Sequence, residues 1–267
     1  MGFMANLKGQ QALSLQGKKK MEEAKAKYAE AYAEGMDQPR LLLAYAVLLI
    51  RDNEFQKAKE LLAKMQKSPM SPDQKNQMYM DYAVCCYKLG DLAKAVNLLE
   101  KQHRRQHSGL VYETLGYLYA EQFDPANKAA FLAQPHVVEV DDRFGDEAPE
   151  IDPEQAWEEG KQKALAFNQE AVEYDDEDSV SLDNLGQTYY RVLGDKETAL
   201  TWFTKALEQK PGQIDTLWFL SRYDVDSKDY AAAIAKLEKA LEGRFSPLNK
   251  VSKAEVEQEV ARLKALL

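Results

Sequence analysis

Alanine recurs along this chain at a spacing that a single packed core would not require. Ala24, Ala58 and Ala95 stand 34 and 37 residues apart, and Ala164, Ala199 and Ala233 stand 35 and 34 apart. A small residue precedes several of them by 12 positions: Ala46 before Ala58, Ala83 before Ala95, Ser221 before Ala233. Before Ala199 the small residue is Gly186, at a separation of 13. Two small residues so placed let two helices joined by a short turn approach closely, where larger side chains would wedge them apart. A repeat of this length marks units that bury their faces only against their neighbours. The chain is therefore expected to be a row of helix pairs.

The unit is clearest in VSLDNLGQTYYRVLGDKETALTWFTKALEQKP, from Val180 to Pro211. Leu182, Leu185, Gly186 and Tyr189 fall on one helical face. A turn is expected at Gly194-Asp195, and a second helix carries Ala199, Phe203 and Ala206 before Pro211 stops it. This order (Leu-Gly-x-x-Tyr, then Ala, an aromatic, Ala and Pro) resembles the tetratricopeptide repeat, with one extra residue before the turn. The resemblance implies an all-α fold, a right-handed α-solenoid of antiparallel helix pairs with a C-terminal capping helix. Repeats are expected near 4–36, 38–70, 72–107, 109–176, 179–212 and 214–244, with a cap over 247–267. Ser252 and Glu255 form a capping box there, and Val256, Val260, Leu263 and Leu267 an apolar stripe. Ser71-Pro72-Asp73 likewise opens a helix.

The fourth repeat departs from the pattern. Its first helix has Tyr112, Leu115, Gly116 and Tyr119, and the helical run Pro153–Tyr174 supplies Ala164 and Ala171. An insertion is expected near 123–152, with a short helix at 125–134; the other reading makes 125–134 a stunted second helix. The aromatic position of the pattern falls on Asn168. Residues 136–151 mix Val137, Val138, Val140 and Phe144 with acids. They read either as a solvated loop or as an internal ligand laid in the groove.

Charge is unevenly spread. Residues 1–110 carry a net +6, 111–178 a net −15 and 179–267 zero, which sums to −9. The acidic middle argues against a continuous nucleic-acid track. No apolar run reaches the ~20 residues that span a bilayer, and the first residues lack a signal core, so a cytoplasmic, membrane-free setting is expected. Cys85 and Cys86 are adjacent and read as buried apolar residues, since neighbours on a helix point about 100° apart. His103 and His107 are four apart and could share a metal ion, but Arg104 and Arg105 lie between them. No metal, cofactor or catalytic constellation is expected, and acidic pairs such as Asp141-Asp142 read as solvated turns.

The resemblance implies a role in protein binding, with first helices lining a concave face. Carrying the helix phase over places Val47 and Arg51, Val84 and Tyr87, and Tyr117 on that face. It adds Asp183, Asn184, Gln187, Tyr190 and Arg191, then Trp218, Phe219 and Arg222. The partner is expected to be a protein or peptide. The carboxylate clamp of some family members would require Lys and Asn where this chain has Asn6, Gln10, Ala44, Gln77 and Asp81. In the later repeats it has Glu113, Tyr117, Asn184, Asp215 and Phe219 there. Neither set is a clamp. Self-association of the repeats, as a monomer–oligomer equilibrium, is the alternative to a scaffold.

Overall fold

The computed structural model describes residues 2–135 and 150–267, and these contain no β-strand. They divide into two compact units, unit 1 over Met1–Val111 and unit 2 over Tyr112–Leu267. The proposed internal ligand at 136–151 lies almost wholly outside the described residues.

Unit 1 holds three helix pairs: α1 (Gly2–Gly17) with α2 (Met21–Ala33), α3 (Pro39–Arg51) with α4 (Phe55–Met65), and α5 (Pro72–Lys88) with α6 (Leu92–His103). The alanines that set the period, Ala24, Ala58 and Ala95, are completely buried, as are Ala46 and Ala83. First helices neighbour one another, α3 touching both α1 and α5. The α5 start carries the capping box of Ser71 and Gln74.

Unit 2 begins in α7 (Gly109–Gln122). A 3-10 turn at Pro125–Asn127 leads to the short α8 (Lys128–Leu132), and then come α9 (Pro153–Tyr174) and α10 (Ser179–Gln187). A π-helical turn at Thr188–Leu193 prolongs α10. Next come α11 (Lys196–Gln209), α12 (Ile214–Asp226), α13 (Tyr230–Leu241) and the cap α14 (Lys253–Lys264). Helix α9 packs on α7, with the Phe167 ring 5.4 Å from Tyr112 and 5.2 Å from Tyr119. Asn168, at the expected aromatic position, is buried and donates to the carbonyls of Gly116 and Ala164 and to Thr188 Oγ1. A side chain on Gly116 would collide with it. Phe131 of α8 packs 5.3 Å from Phe123 and from Trp157 at the start of α9. The cap closes on α13 through Val256, Val260 and Leu263. Leu267 does not join this stripe: α14 ends at Lys264, and Leu267 is exposed beyond it.

The turns explain the extra residue. Lys19, Asn53 and Lys228 adopt left-handed φ near 60°, and Gly90 adopts φ 89°. In each case the next residue's N–H donates five positions back: Lys20 to Leu15, Glu54 to Leu49, Asp91 to Cys86 and Asp229 to Asp224. This closes the helix by satisfying a carbonyl the helix leaves orphaned. At the fifth such turn Gly194 takes φ 72°, but the Asp195 N–H donates six back, to Tyr189. The additional residue seen in the sequence is thus absorbed as a π turn, and the closing geometry is kept. A π turn shifts the phase of the side chains after it, and such turns occur often at functional sites.

Candidate functional site

The phase shift aims Arg191 into the first-helix layer of unit 2. Its Nη2 lies 2.7 Å from Glu121 Oε1 on α7 and 2.8 Å from Asp124 Oδ2, which also accepts from Nε at 2.9 Å. Nη1 donates to Gln187 Oε1 at 2.7 Å. Gln187 in turn donates to Asp183 Oδ2 at 2.7 Å, and Thr216 Oγ1 of α12 donates to Asp183 Oδ1 at 2.5 Å. Asp215, beside Thr216, accepts from Asn249 Nδ2 and from the Lys250 N–H. Asn184 donates to the Glu113 carbonyl. The first helices α7, α10 and α12 are therefore joined by polar side chains rather than by an apolar seam.

Electrostatics differ across this layer. Burial would raise Asp124, but the Ala126 N–H, Arg191 and Lys250 outweigh it and hold the carboxyl below its usual range. Burial would likewise depress Arg191, and Glu121 and Asp124 overcome it. Asp183 and Asp215 are pushed up, Asp183 by burial and Asp215 by burial and then by the Asp183 charge. Glu113 is pushed up to about 7 by burial, with Asp178 adding to it. Among the described residues, this layer places Glu113, Glu121, Asp124, Asp183 and Asp215 around Arg191 and Lys250.

The helix pair α10–α11 is also the part of the chain that a family model recognises, the tetratricopeptide repeat, over residues 181–214. Residues 181–214 therefore form a tetratricopeptide repeat. A thermophilic tetratricopeptide protein of Thermus thermophilus, TTC0263, is similar in structure at a TM-score of 0.60 and 17% identity. That match covers 86% of this chain and all of that one. PilW, a type IV pilus biogenesis factor, matches at a TM-score of 0.58 and 14% identity, over 97% of this chain and all of its own. Human IFIT1, solved as a dimer with m7Gppp-AAAA, matches at 0.61 and 16%, over 91% of this chain and 49% of its own. The fold class is thus all-α, a helical-repeat solenoid. No curated protein matches the chain in sequence. Among the described residues no helix is long and apolar enough to cross a membrane.

The residues expected on the tetratricopeptide binding face fall into two groups. Val84, Tyr117, Asp183, Asn184, Gln187, Arg191 and Phe219 are buried. Phe219 is the most enclosed by rings: it stacks on Phe203 at 5.0 Å and an interplanar angle of 5°, within the α11–α12 contact. Asn184 and Gln187 are committed to hydrogen bonds within the layer. Val47, Arg51, Tyr87, Tyr190, Trp218 and Arg222 keep accessible surface. Trp218 lies under the Arg222 guanidinium at 4.1 Å, and Arg222 also pairs with Glu259 of the cap at 2.7 Å. Tyr190 carries Lys196 over its ring at 5.3 Å. In unit 1, Lys88 covers the Tyr87 ring at 4.7 Å.

Three other expectations concern unit 1. Asp81, at a clamp position, is buried, its Oδ2 makes no hydrogen bond, and burial pushes its carboxyl up to about 7. Cys85 and Cys86 are buried free thiols, and burial pushes Cys85 up to about 12. The His103 and His107 rings lie 4.3 Å apart. The network missed by sequence reasoning is that of Glu121, Asp124 and Lys250. Its one sequence signal was the extra residue before Gly194, which changes where Arg191 points.

Proposed function

We propose that this chain is a protein-interaction scaffold that binds an extended segment of a partner protein on its first-helix face and carries out no catalysis. The observation that carries this reading is the Trp218–Arg222 stack, with Tyr190 also half-exposed, because such aromatics and arginine are the side chains that most often dominate binding energy. In unit 1 the corresponding contributors are Val47, Arg51 and Tyr87. A net charge of −15 over residues 112–267 favours a protein partner over a nucleic acid. The proposal includes a cytoplasmic setting, in keeping with two unpaired buried thiols, and a monomer in the absence of its partner.

Affinity capture with mass spectrometry tests it. Trp218→Ala combined with Arg222→Ala is expected to lose the captured partner while helical circular dichroism persists. Unchanged capture by the folded variant would refute the face. Light scattering that showed oligomers at micromolar concentration would transfer the role to self-association.

A further inference from the structure

A cleft of about 310 Å³ opens in unit 1 where the end of α4, the start of α5 and the end of α6 meet. Lys75 of α5 and Arg105, just beyond α6, both line it. The Arg105 N–H donates to the Gln102 carbonyl at 3.1 Å and the Gln106 N–H to the same carbonyl at 3.0 Å, so the chain beyond α6 folds back over Gln102. Gln102 is buried, and its Nε2 donates to Oδ1 of Asn76, the residue after Lys75. A buried amide pair thus fixes the α5–α6 contact beside both cations. The rest of the lining supplies the side-chain amides of Gln66 and Gln106 and an apolar wall of Met70, Met78 and Tyr79.

Among the described residues, no Asp or Glu lines this cleft, and neither the Lys75 ammonium nor the Arg105 guanidinium pairs with an acid. Helix ends do not account for both charges. Arg105 follows the C-terminus of α6, where the helix dipole favours a cation, but Lys75 lies near the N-terminus of α5, where the dipole disfavours one. Asp73, the acid of that first turn, is two positions from Lys75 and so faces another side of the helix. Residues 1–110 carry a net +6, which draws an anion to this unit. Two cations on one cleft repel each other, and an anion between them replaces that repulsion by attraction. A dianion balances both charges, whereas a carboxylate balances one. The guanidinium fork matches phosphate geometry, and the ammonium adds a point charge. Beside them the thioethers and the Tyr79 ring offer surface for a small apolar group, and methionine suits aromatic rings. The volume lies at the small end of the roughly 300–1,000 Å³ of ligand pockets.

We propose that this cleft binds a phosphate monoester, with the phosphate between Lys75 and Arg105 and the apolar body of the ester on Met70, Met78 and Tyr79. The shared chemistry is the phosphate dianion on an apolar group, carried by a free small molecule or by a phosphorylated side chain. The site uses none of the residues assigned to the first-helix face, so it stands independently of the scaffold reading. Its lining comes from the second and the third helix pair, so a bound ester stabilises unit 1 by mass action.

Isothermal titration of the full chain tests this with phenyl phosphate, inorganic phosphate and benzoate at constant ionic strength. Phenyl phosphate is expected to bind saturably, with a Kd of about 1 mM or tighter. Inorganic phosphate lacks the apolar body and benzoate has a single charge, so each is expected to bind roughly fivefold or more weakly. Lys75→Gln and Arg105→Gln are each expected to weaken phenyl phosphate by about tenfold. Both side chains are exposed, so helical circular dichroism should not change. The control Lys18→Gln with Lys94→Gln changes two exposed cations of unit 1 outside the cleft and is expected to keep the affinity. A phosphotyrosine peptide flanked by alanine and glycine separates the two sources. Binding tighter than that of phenyl phosphate assigns the site to a modified partner side chain and weaker binding assigns it to a free ester; both uphold the site. The proposal is overturned if phenyl phosphate gives no saturable heat up to about 10 mM, or if Lys75→Gln and Arg105→Gln bind it like the wild type. Benzoate binding as tightly as phenyl phosphate overturns the dianion. Inorganic phosphate binding as tightly overturns the ester, since the apolar wall then takes no part.

Discussion

Replacing Arg191 by methionine removes one cation and leaves two carboxylates facing each other in a largely dry setting. Glu121 and Asp124 have only 8% and 16% of their side chains exposed, and Arg191 makes charge-assisted bonds to both. Breaking a buried pair by removing one partner costs up to about 3–5 kcal/mol, because the remaining charge loses its compensation; here the Lys250 ammonium, 3.3 Å from Glu121 and 3.6 Å from Asp124, stays to offset part of it. For a unit of this size a loss of that order lowers Tm by up to about 10 °C. The cost should depend on pH with a definite sign. In the wild type Asp124 is held below its usual value, so its contribution to stability is present above the unfolded carboxylate value and lost as pH falls. The variant lacks the part of that contribution that Arg191 supplies, while the Ala126 N–H and Lys250 remain, so the gap between the two proteins should narrow as pH falls below about 4. Urea unfolding followed by circular dichroism at pH 7 and at pH 3.5 measures both numbers. Adding Glu121→Gln and Asp124→Asn to Arg191→Met should recover much of the loss, since neutral amides need no counter-charge. A pH 7 cost under about 1 kcal/mol, or a cost that ignores pH, would refute the account of the network.

Three further outcomes are expected. Gly186→Ala should cost about 1–3 kcal/mol by overpacking, because a Cβ there would stand 2.7 Å from the Phe203 ring, which is itself stacked on Phe219; an unchanged urea midpoint would show that the ring can yield. Asp183 and Asp215 bind their protons more tightly folded than unfolded, so their contribution is full below the unfolded carboxylate value and lost as pH rises through the raised ones. Wild type should therefore lose stability relative to Asp215→Asn between about pH 4 and 7, and parallel stability curves would contradict this. Native Cys85 should react with iodoacetamide far more slowly than the unfolded chain, since its thiol is buried and pushed up to about 12; fast native labelling would place it at the surface.

Some of this was written in the sequence because it depends on neighbours along the chain. The Ala24, Ala58 and Ala95 spacing, the Gly186–Ala199 pair and the Ser252–Glu255 box act within one helix hairpin, over a few turns of backbone. Local periodicity and turn chemistry determine them, so helix pairs and their punctuation could be read directly. Even the extra residue before Gly194 was visible as a count. What it does was not visible, because a residue too many can be absorbed as a loop, a kink or a π turn, and only packing on α7 and α12 selects among these. Gly186 was expected to press on Ala199, but the ring of Phe203 one turn further occupies that space. Tertiary structure also decided which side of the first-helix layer is wet. Phe219 and Trp218 are consecutive and equally apolar, yet one is sealed by Phe203 and the other lies under Arg222. The cradle of Glu121, Asp124, Arg191 and Lys250 draws on residues from α7 to the loop before α14. Periodicity places a side chain on a face of its own helix; whether that face is buried, charged or occupied depends on helices far away in sequence.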